Sequence, residues 1–310
     1  MPAAALAASV VLASCAESAP SSDGGSGHVS VVATTTILGS ITGEIVACAD
    51  PDATVTTLMP VGADPHDFSP SSQQVAEIVS ASLVVANGLG LEAGLADTLA
   101  NAESDGATIL SVGEQLDPIP FGQHQADGAA DHEVTSEDPH VWFDMSRMAT
   151  AAELIGQRLA ASGNDAFATC GTKVADQIRA AEKDVRATLE TVPDDRRVLV
   201  TDHDALGYLA DAYGYRVVGA VIPAGTTLAE ASSAEMADLV ATIQAEDVPA
   251  IFANTANSPA LSEAVAQETG RDVQVVPLYI GSIGEPGSGA DDYISMMTTD
   301  ADLIASALTR

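Results

Sequence analysis

The sequence predicts an α/β protein of two similar lobes, each built on a parallel sheet, joined by one long helix. Three features predict it. From residue 29 onward, short runs rich in Val, Ile and Thr alternate with segments of helix length. One stretch, residues 171–193, keeps a helical apolar spacing for much longer than its neighbours and divides the alternation in two. The chain of 310 residues also exceeds one small core and suits one large or two medium domains.

The N-terminal lobe, residues 29–171, opens with the strand VSVVATT. A helix over Ile37–Ala47, a strand over Val55–Met59 and a helix over Ser71–Ala81 follow. Next come the strand LVVAN, a helix over Leu91–Ala102 and the strand ATILSV. Strands separated by helices pair in parallel, with the helices covering both faces of the sheet. Residues Gly113–Pro139 break this rhythm with a long acidic loop that holds His124 and His132. Loops of such length tend to be functional or disordered. Helix resumes over Ser146–Ala161.

The linking helix, residues 172–191, carries Val174, Ile178, Ala181, Val185 and Leu189 on one stripe. Twenty residues of helix run about 30 Å, roughly the diameter of a small domain. Pro193 and DDRR stop it. The C-terminal lobe, residues 192–310, repeats the alternation: RVLVTD, helix Ala205–Tyr213, RVVGAVI, helix Ser232–Glu246, AIFAN, helix Pro259–Thr269, VQVVPL and helix Asp291–Leu308. The GEPGSG segment, Gly284–Gly289, is a turn and not a phosphate loop, because no Gly-Lys-Ser/Thr follows it. Met296 and Met297 are core contacts, and Tyr208 and Tyr213 are expected at the lobe interface.

Aromatic residues make up only 4% of the chain, so Val, Ile, Leu and Ala must fill the interior. Forty-four acidic residues against 11 basic ones leave a formal charge of −33, which excludes nucleic acid as a partner. Anionic membrane surfaces repel such a body as well. The charge suits a solvated surface or the gathering of cations.

Residues 1–15 read as a signal peptide: an apolar run too short to span a bilayer ends in Leu-Ala-Ser-Cys, which resembles a bacterial lipobox. Cys15 is then the lipidated residue, and the Ser/Gly/Pro-rich residues 16–28 are a flexible tether. No Lys or Arg precedes the apolar run, which suits a start further upstream. The reading places the protein outside the cytoplasm, in contact with the membrane only through its lipid. In that oxidising compartment the remaining cysteines, Cys48 and Cys170, are expected to form one disulfide.

Two segments, GADPHDFSP and EDPHVWFD, each place a histidine directly after Asp-Pro, at His66 and His140. A third histidine, His203 in VLVTDHDALGY, follows the first strand of the second lobe. His66 and His203 both fall at strand carboxyl ends, where open α/β sheets collect ligands. A cleft between the lobes brings them together, with His140 joining from the loop. Three imidazoles suit Zn²⁺ and leave one tetrahedral position to fill. Asp64, Asp138, Asp202 and Asp204 are near enough in sequence to accept the other ring N–H groups. Protons compete for free imidazoles near their ordinary pKa of about 6.5, so affinity is expected to fall with pH there. Trp142 and Phe143 are expected to pack beneath the site.

MPVGADPHDFSPSSQQV, DPHVWFDMSRM and TDHDALGYLADAYGY together resemble the three metal-site motifs of the zinc/manganese solute-binding lipoproteins of bacterial metal ABC importers. The likeness continues through ASSAEMADLVATIQAEDVPAIFAN, ALSEAVAQETG and LYIGSIGEPGSGADDYISMM, and so covers nearly everything after residue 29. It implies two Rossmann-like lobes joined by a rigid helix, a metal in the inter-lobe cleft, and His66, His140 and His203 as its ligands. It also implies delivery to a membrane permease driven by an ATPase, by a monomeric binding protein. The family often adds an Asp from a Thr-Asp-Ser turn, where this chain has Gly281 in Ile-Gly-Ser. Water, another carboxylate or a group from residues 121–139 must complete the shell. Three histidines without that Asp point to Zn²⁺, with Mn²⁺ as the alternative. The loop with His124 and His132 resembles a short His-rich collecting loop, and equally a solvated acidic loop.

Two other functional classes fit parts of the pattern. A zinc hydrolase also uses three His and an open position, with Asp204 or Glu230 as base. The chain lacks His-Glu-x-x-His and Gly-x-Ser-x-Gly, which argues against an enzyme. A surface adhesin remains compatible with an anchored lobe.

Overall fold

Val31, Val32 and Ala33 are nearly inaccessible to solvent, and so are Leu83, Val84 and Val85, because these β-branched runs form the two inner strands of a sheet covered on both faces. The computed structural model describes residues 28–122 and 136–310. Cys15, residues 16–27 of the tether, His124 and His132 lie outside the described residues. The first sheet contains β1 (Ser30–Ala33), β2 (Thr54–Thr57), β3 (Leu83–Ala86) and β4 (Ile109–Ser111) in the order β2-β1-β3-β4. The second contains β5 (Val198–His203), β6 (Arg216–Ile222), β7 (Ala250–Asn254) and β8 (Gln274–Leu278) in the order β6-β5-β7-β8. Every pairing is parallel. The two lobes therefore share one topology, with the strand order reversing beside β1 and beside β5. Crevices outside the carboxyl ends of such strands are where α/β sheets bind ligands.

Helices α1 (Thr36–Ala49), α2 (Ser72–Ser80) and α3 (Ala96–Ser104) cover the first sheet, and α6 (Gly207–Tyr213), α7 (Ser233–Ala245), α8 (Ala260–Glu268) and α9 (Tyr293–Leu308) belong to the second lobe. Ser71 and Ser232 start α2 and α7 with reciprocal capping boxes to Gln74 and Glu235. The expected helix over Leu91–Ala102 begins instead as a single 3-10 turn at Ala93–Leu95, and α3 then runs to Ser104. Residues 88–90 precede it in left-handed backbone, with Leu89 at φ 55°, so no helix forms there.

Helices α4 (Met145–Ala160) and α5 (Ala166–Leu189) lie between the lobes. The long helix starts at Ala166, six residues before the expected 172, and Asn164, just ahead of the N-cap Asp165, accepts from the Ala166 N–H. Gly171 lies inside the helix and not at its start. It faces Gly156 of α4, where an added Cβ at either glycine would fall 2.6–2.7 Å from a backbone oxygen of the other helix. The two glycines let α4 and α5 touch backbone to backbone. Helix α5 also packs on α1 and on α9, and one apolar cluster runs through all four helices and the inner faces of both sheets. Two smaller clusters cover the outer faces, one for each lobe. A disulfide between Cys48 and Cys170 ties the end of α1 to α5, with the Cα atoms 5.9 Å apart. The interior thus runs through both lobes along one spine. Among the described residues, no helix is long and apolar enough to cross a membrane.

One buried acid stands out. Asp300 on α9 accepts from the Tyr279 N–H at 3.0 Å, while its second oxygen has no partner. Burial raises its carboxyl from an ordinary 3.8 to about 7. Between those values the unfolded chain releases the proton and the folded chain keeps it, so stability falls as pH rises from 4 to 7 and is level above. Asp300→Asn keeps the acceptor and removes the ionisation. Its stability advantage over the parent is expected to grow across that range, by as much as about 4 kcal/mol at pH 8. Denaturant unfolding at pH 4, 6 and 8 measures it, and a difference independent of pH would contradict the assignment.

Candidate metal centre

His66 sits in the loop after β2, His140 follows the acidic loop, and His203 is the last residue of β5. All three are buried, at 3%, 1% and 1% exposure. Their Nε2 atoms nevertheless meet: His140 Nε2 lies 3.3 Å from that of His66 and 3.3 Å from that of His203. The ring centroids are 5.2–5.6 Å apart. Tetrahedral coordination at about 2.0–2.1 Å places neighbouring donor nitrogens about 3.3 Å apart. Among the described residues, these three form the group whose donor atoms all approach within 4.8 Å, and no carboxylate oxygen or thiol joins them.

The local turns that aim these rings are written in the sequence. Asp64 and Asp138, two residues before their histidines, accept the backbone N–H of His66 at 3.0 Å and of His140 at 2.9 Å. Asp138 Oδ1 also meets His140 Nδ1 at 2.7 Å, and Asp202 Oδ1 meets His203 Nδ1 at 2.9 Å. These contacts orient both rings with Nε2 toward the common point. Asp202 is itself held by the Asn254 N–H through its second oxygen. Asp64 behaves differently: its second oxygen accepts from Thr227 Oγ1 at 2.6 Å and Asn257 Nδ2 at 3.1 Å, both in the other lobe. Asp204 is buried and gives its backbone N–H to Ala224.

Burial governs the electrostatics. It lowers the His66 imidazole to about 3, with the His140 and His203 rings adding to the shift. Burial also holds His140 well below its ordinary value and raises the Asp138 carboxyl to about 8. Burial opposes ionisation of Asp64 as well, but hydrogen bonds from Thr227, the His66 N–H and Asn257 outweigh it and keep that carboxyl low. The competition expected near pH 6.5 therefore does not come from His66 or His140. Near neutral pH the group that burial favours in its protonated form is the Asp138 carboxyl.

Packing supports the cluster from below. The Trp142 ring lies 5.3 Å from that of His140, and its Nε1 donates to Ile280 O. Tyr293 OH donates to Trp142 O, and Phe143 is fully buried. Tyr208 OH donates to Asp138 O and accepts from the Ile119 N–H, so it joins α6 to the chain that carries His140. Pro120 and Glu137 pair as an antiparallel bridge that pins the roots of the acidic loop together. The Phe121 ring lies 6.4 Å from His140 and fills the space that a side chain at position 225 would occupy. Gly281 is buried, and a Cβ there would fall 2.9 Å from the Pro65 ring, so a larger residue would displace the His66 loop. Tyr208 stands at the lobe interface as expected, whereas Phe121, Thr227 and Asn257 carry no local signal, because their partners are distant in sequence.

Comparison with known proteins shows the family. Residues 31–307 match the family model of the zinc-uptake complex component A, periplasmic. The chain belongs to that family. It is a substrate-binding protein of the metal ABC importer class and not an enzyme. It is 30% identical over 283 residues to the zinc-binding protein TroA of Treponema pallidum, covering 89% of this chain and 88% of that protein. It is 26% identical over 305 residues to the manganese-binding lipoprotein MntA of Halalkalibacterium halodurans, covering 97% and 95%. The solved structure of the Treponema pallidum periplasmic zinc-binding protein superposes with a TM-score of 0.80 at 28% identity, over 92% of this chain and all of that one. A manganese-bound mutant of a periplasmic metal-binding protein from candidatus Liberibacter asiaticus gives 0.77 at 25% identity, over 90% and 99%.

Burial raises the Asp138 carboxyl to about 8, so an ion bound at the His140 Nε2 is expected to release a proton from the Asp138–His140 pair at neutral pH. Calorimetry of zinc binding in buffers of different ionisation heat is expected to show about one proton released at pH 7 and almost none at pH 9.5. Equal release at both values would contradict the assignment.

Proposed function

We propose that the protein captures Zn²⁺ outside the cytoplasm and delivers it to the permease and ATPase of a metal ABC importer. His66, His140 and His203 are the ligands, and water or a small ligand takes the fourth position. The single observation that carries this reading is the convergence of three buried imidazoles, with His140 Nε2 at the tetrahedral spacing of 3.3 Å from both others and no carboxylate among them. Imidazole nitrogen suits zinc, whereas Mn²⁺ favours carboxylate and water oxygens in octahedral sites. Buried rings held neutral are ready to donate a lone pair without first losing charge.

The alternative, Mn²⁺ as cargo, draws on the relatives named for manganese, such as MntA and the PsaA lipoprotein of Streptococcus mitis. The donor set argues against it. In this reading Cys15 carries a lipid that tethers a monomer to the membrane through residues 16–28, and several relatives are named as lipoproteins. The linking helix separates an N-terminal lobe, residues 29–171, from a C-terminal lobe, residues 192–310. Asp64, Asp67 and Asp202 line a cavity beside His203, and the negative field there draws cations toward the site.

Single His66→Ala, His140→Ala and His203→Ala variants are each expected to weaken zinc binding by roughly 100-fold or more, since even partners behind the ligands contribute about 10–100-fold. Competition titration with a chromophoric chelator measures it. The parent is expected to prefer Zn²⁺ over Mn²⁺ in the same assay. Unchanged zinc affinity in all three variants would end the reading, and preference for Mn²⁺ would reassign the cargo.

A further inference from the structure

Three acids precede the three histidines, but only two of them serve a ring. Asp138 and Asp202 hold Nδ1 atoms, while Asp64 spends its second oxygen on the opposite lobe. Its two donors come from separate segments, the loop between β6 and α7 and the loop after β7. They lie 163 and 193 residues further along the chain. Both donors meet one carboxylate oxygen, and its other oxygen fixes the backbone of His66. A single side chain thus joins a histidine-bearing turn of one lobe to two loops of the other.

The position of this contact is informative. A cavity of about 220 Å³ is lined by Asp64, Asp202, His203, Thr227 and Asn257, so it opens directly onto one histidine of the cluster. The Asp64 contacts to Thr227 and Asn257 run across its wall. Leu228, 55% exposed, stands beside Thr227 and also lines the cavity, and the loop at 223–231 is joined to its surroundings by the Thr227–Asp64 bond, the Asp204 N–H to Ala224 O and the Phe121 ring over Gly225. Loops with few buried apolar contacts open at low free energy, and their few hydrogen bonds decide how often.

We propose that Asp64, Thr227 and Asn257 form a latch across the mouth of the metal cleft, and that it sets the rate at which the ion leaves. The proposal rests on the reading of the three histidines as ligands. Asp64 acts as a positioning residue: it touches no ion, and it closes the loop over the one that His66 helps to hold.

The test leaves every histidine and Asp64 in place. A Thr227→Val/Asn257→Ala protein lacks both donors, Thr227→Ser keeps the hydroxyl, and the single variants stand in should the double one fail to fold. Zinc release into excess chelator is followed by stopped flow, and amide exchange of residues 223–231 by mass spectrometry in the metal-free protein. The double variant is expected to bind one ion but to release it on the order of 10-fold faster or more, given two hydrogen bonds to a charged acceptor. Exchange at 223–231 is expected to quicken, and Thr227→Ser to match the parent in both. An unchanged release rate in the double variant would overturn the latch. A parent that binds no zinc would instead overturn the reading of the site, and unchanged protection at 223–231 would then remove the latch as well.

Discussion

Three imidazoles are buried at one point where two lobes meet, and little else in the molecule makes sense without that crowding. Three imidazole Nε2 atoms crowded in a dry interior have only one another as partners, an unfavourable arrangement for buried polar groups. The chain stabilises the arrangement by keeping His66 and His140 neutral and by fixing two rings through carboxylates. In the proposed function a divalent ion relieves this crowding, and the geometry of the three donors supports that reading.

The scaffold holds that geometry stiffly. The main apolar cluster runs from the first sheet through α1, α4 and α5 to α9 and the second sheet, so the lobes share one interior. Backbone contact at Gly156 and Gly171 joins α4 to α5, and the disulfide at Cys170 ties that spine to α1 of the first lobe. Such a body resists large rotation of one lobe against the other. Motion that admits an ion is more cheaply found in the loops at the mouth, where polar contacts replace apolar packing.

Much of this was legible in the chain. The alternation of β-branched runs with helical periods marks all eight strands of the described residues, most clearly the inner strands, which are almost wholly apolar. The Asp-Pro-His repeats and the strand-end position of His203 pointed to one cluster, since parallel sheets deliver their carboxyl ends to a common edge. Boundaries were less legible. Gly171 looks like a helix boundary in one dimension and is a contact glycine in three. The roles of Thr227, Asn257 and Phe121 were hidden for a related reason: each depends on a partner far along the chain. The depressed imidazoles and the raised Asp138 follow from burial, which no local motif reports.

The central claim concerns coordination, and X-ray absorption at the zinc edge addresses it most directly. Protein loaded with one equivalent of Zn²⁺ is expected to give a first shell of four light atoms at about 2.0–2.1 Å, with outer-shell scattering from three imidazoles. A six-coordinate oxygen shell, or imidazole scattering from fewer than two rings, would contradict the account.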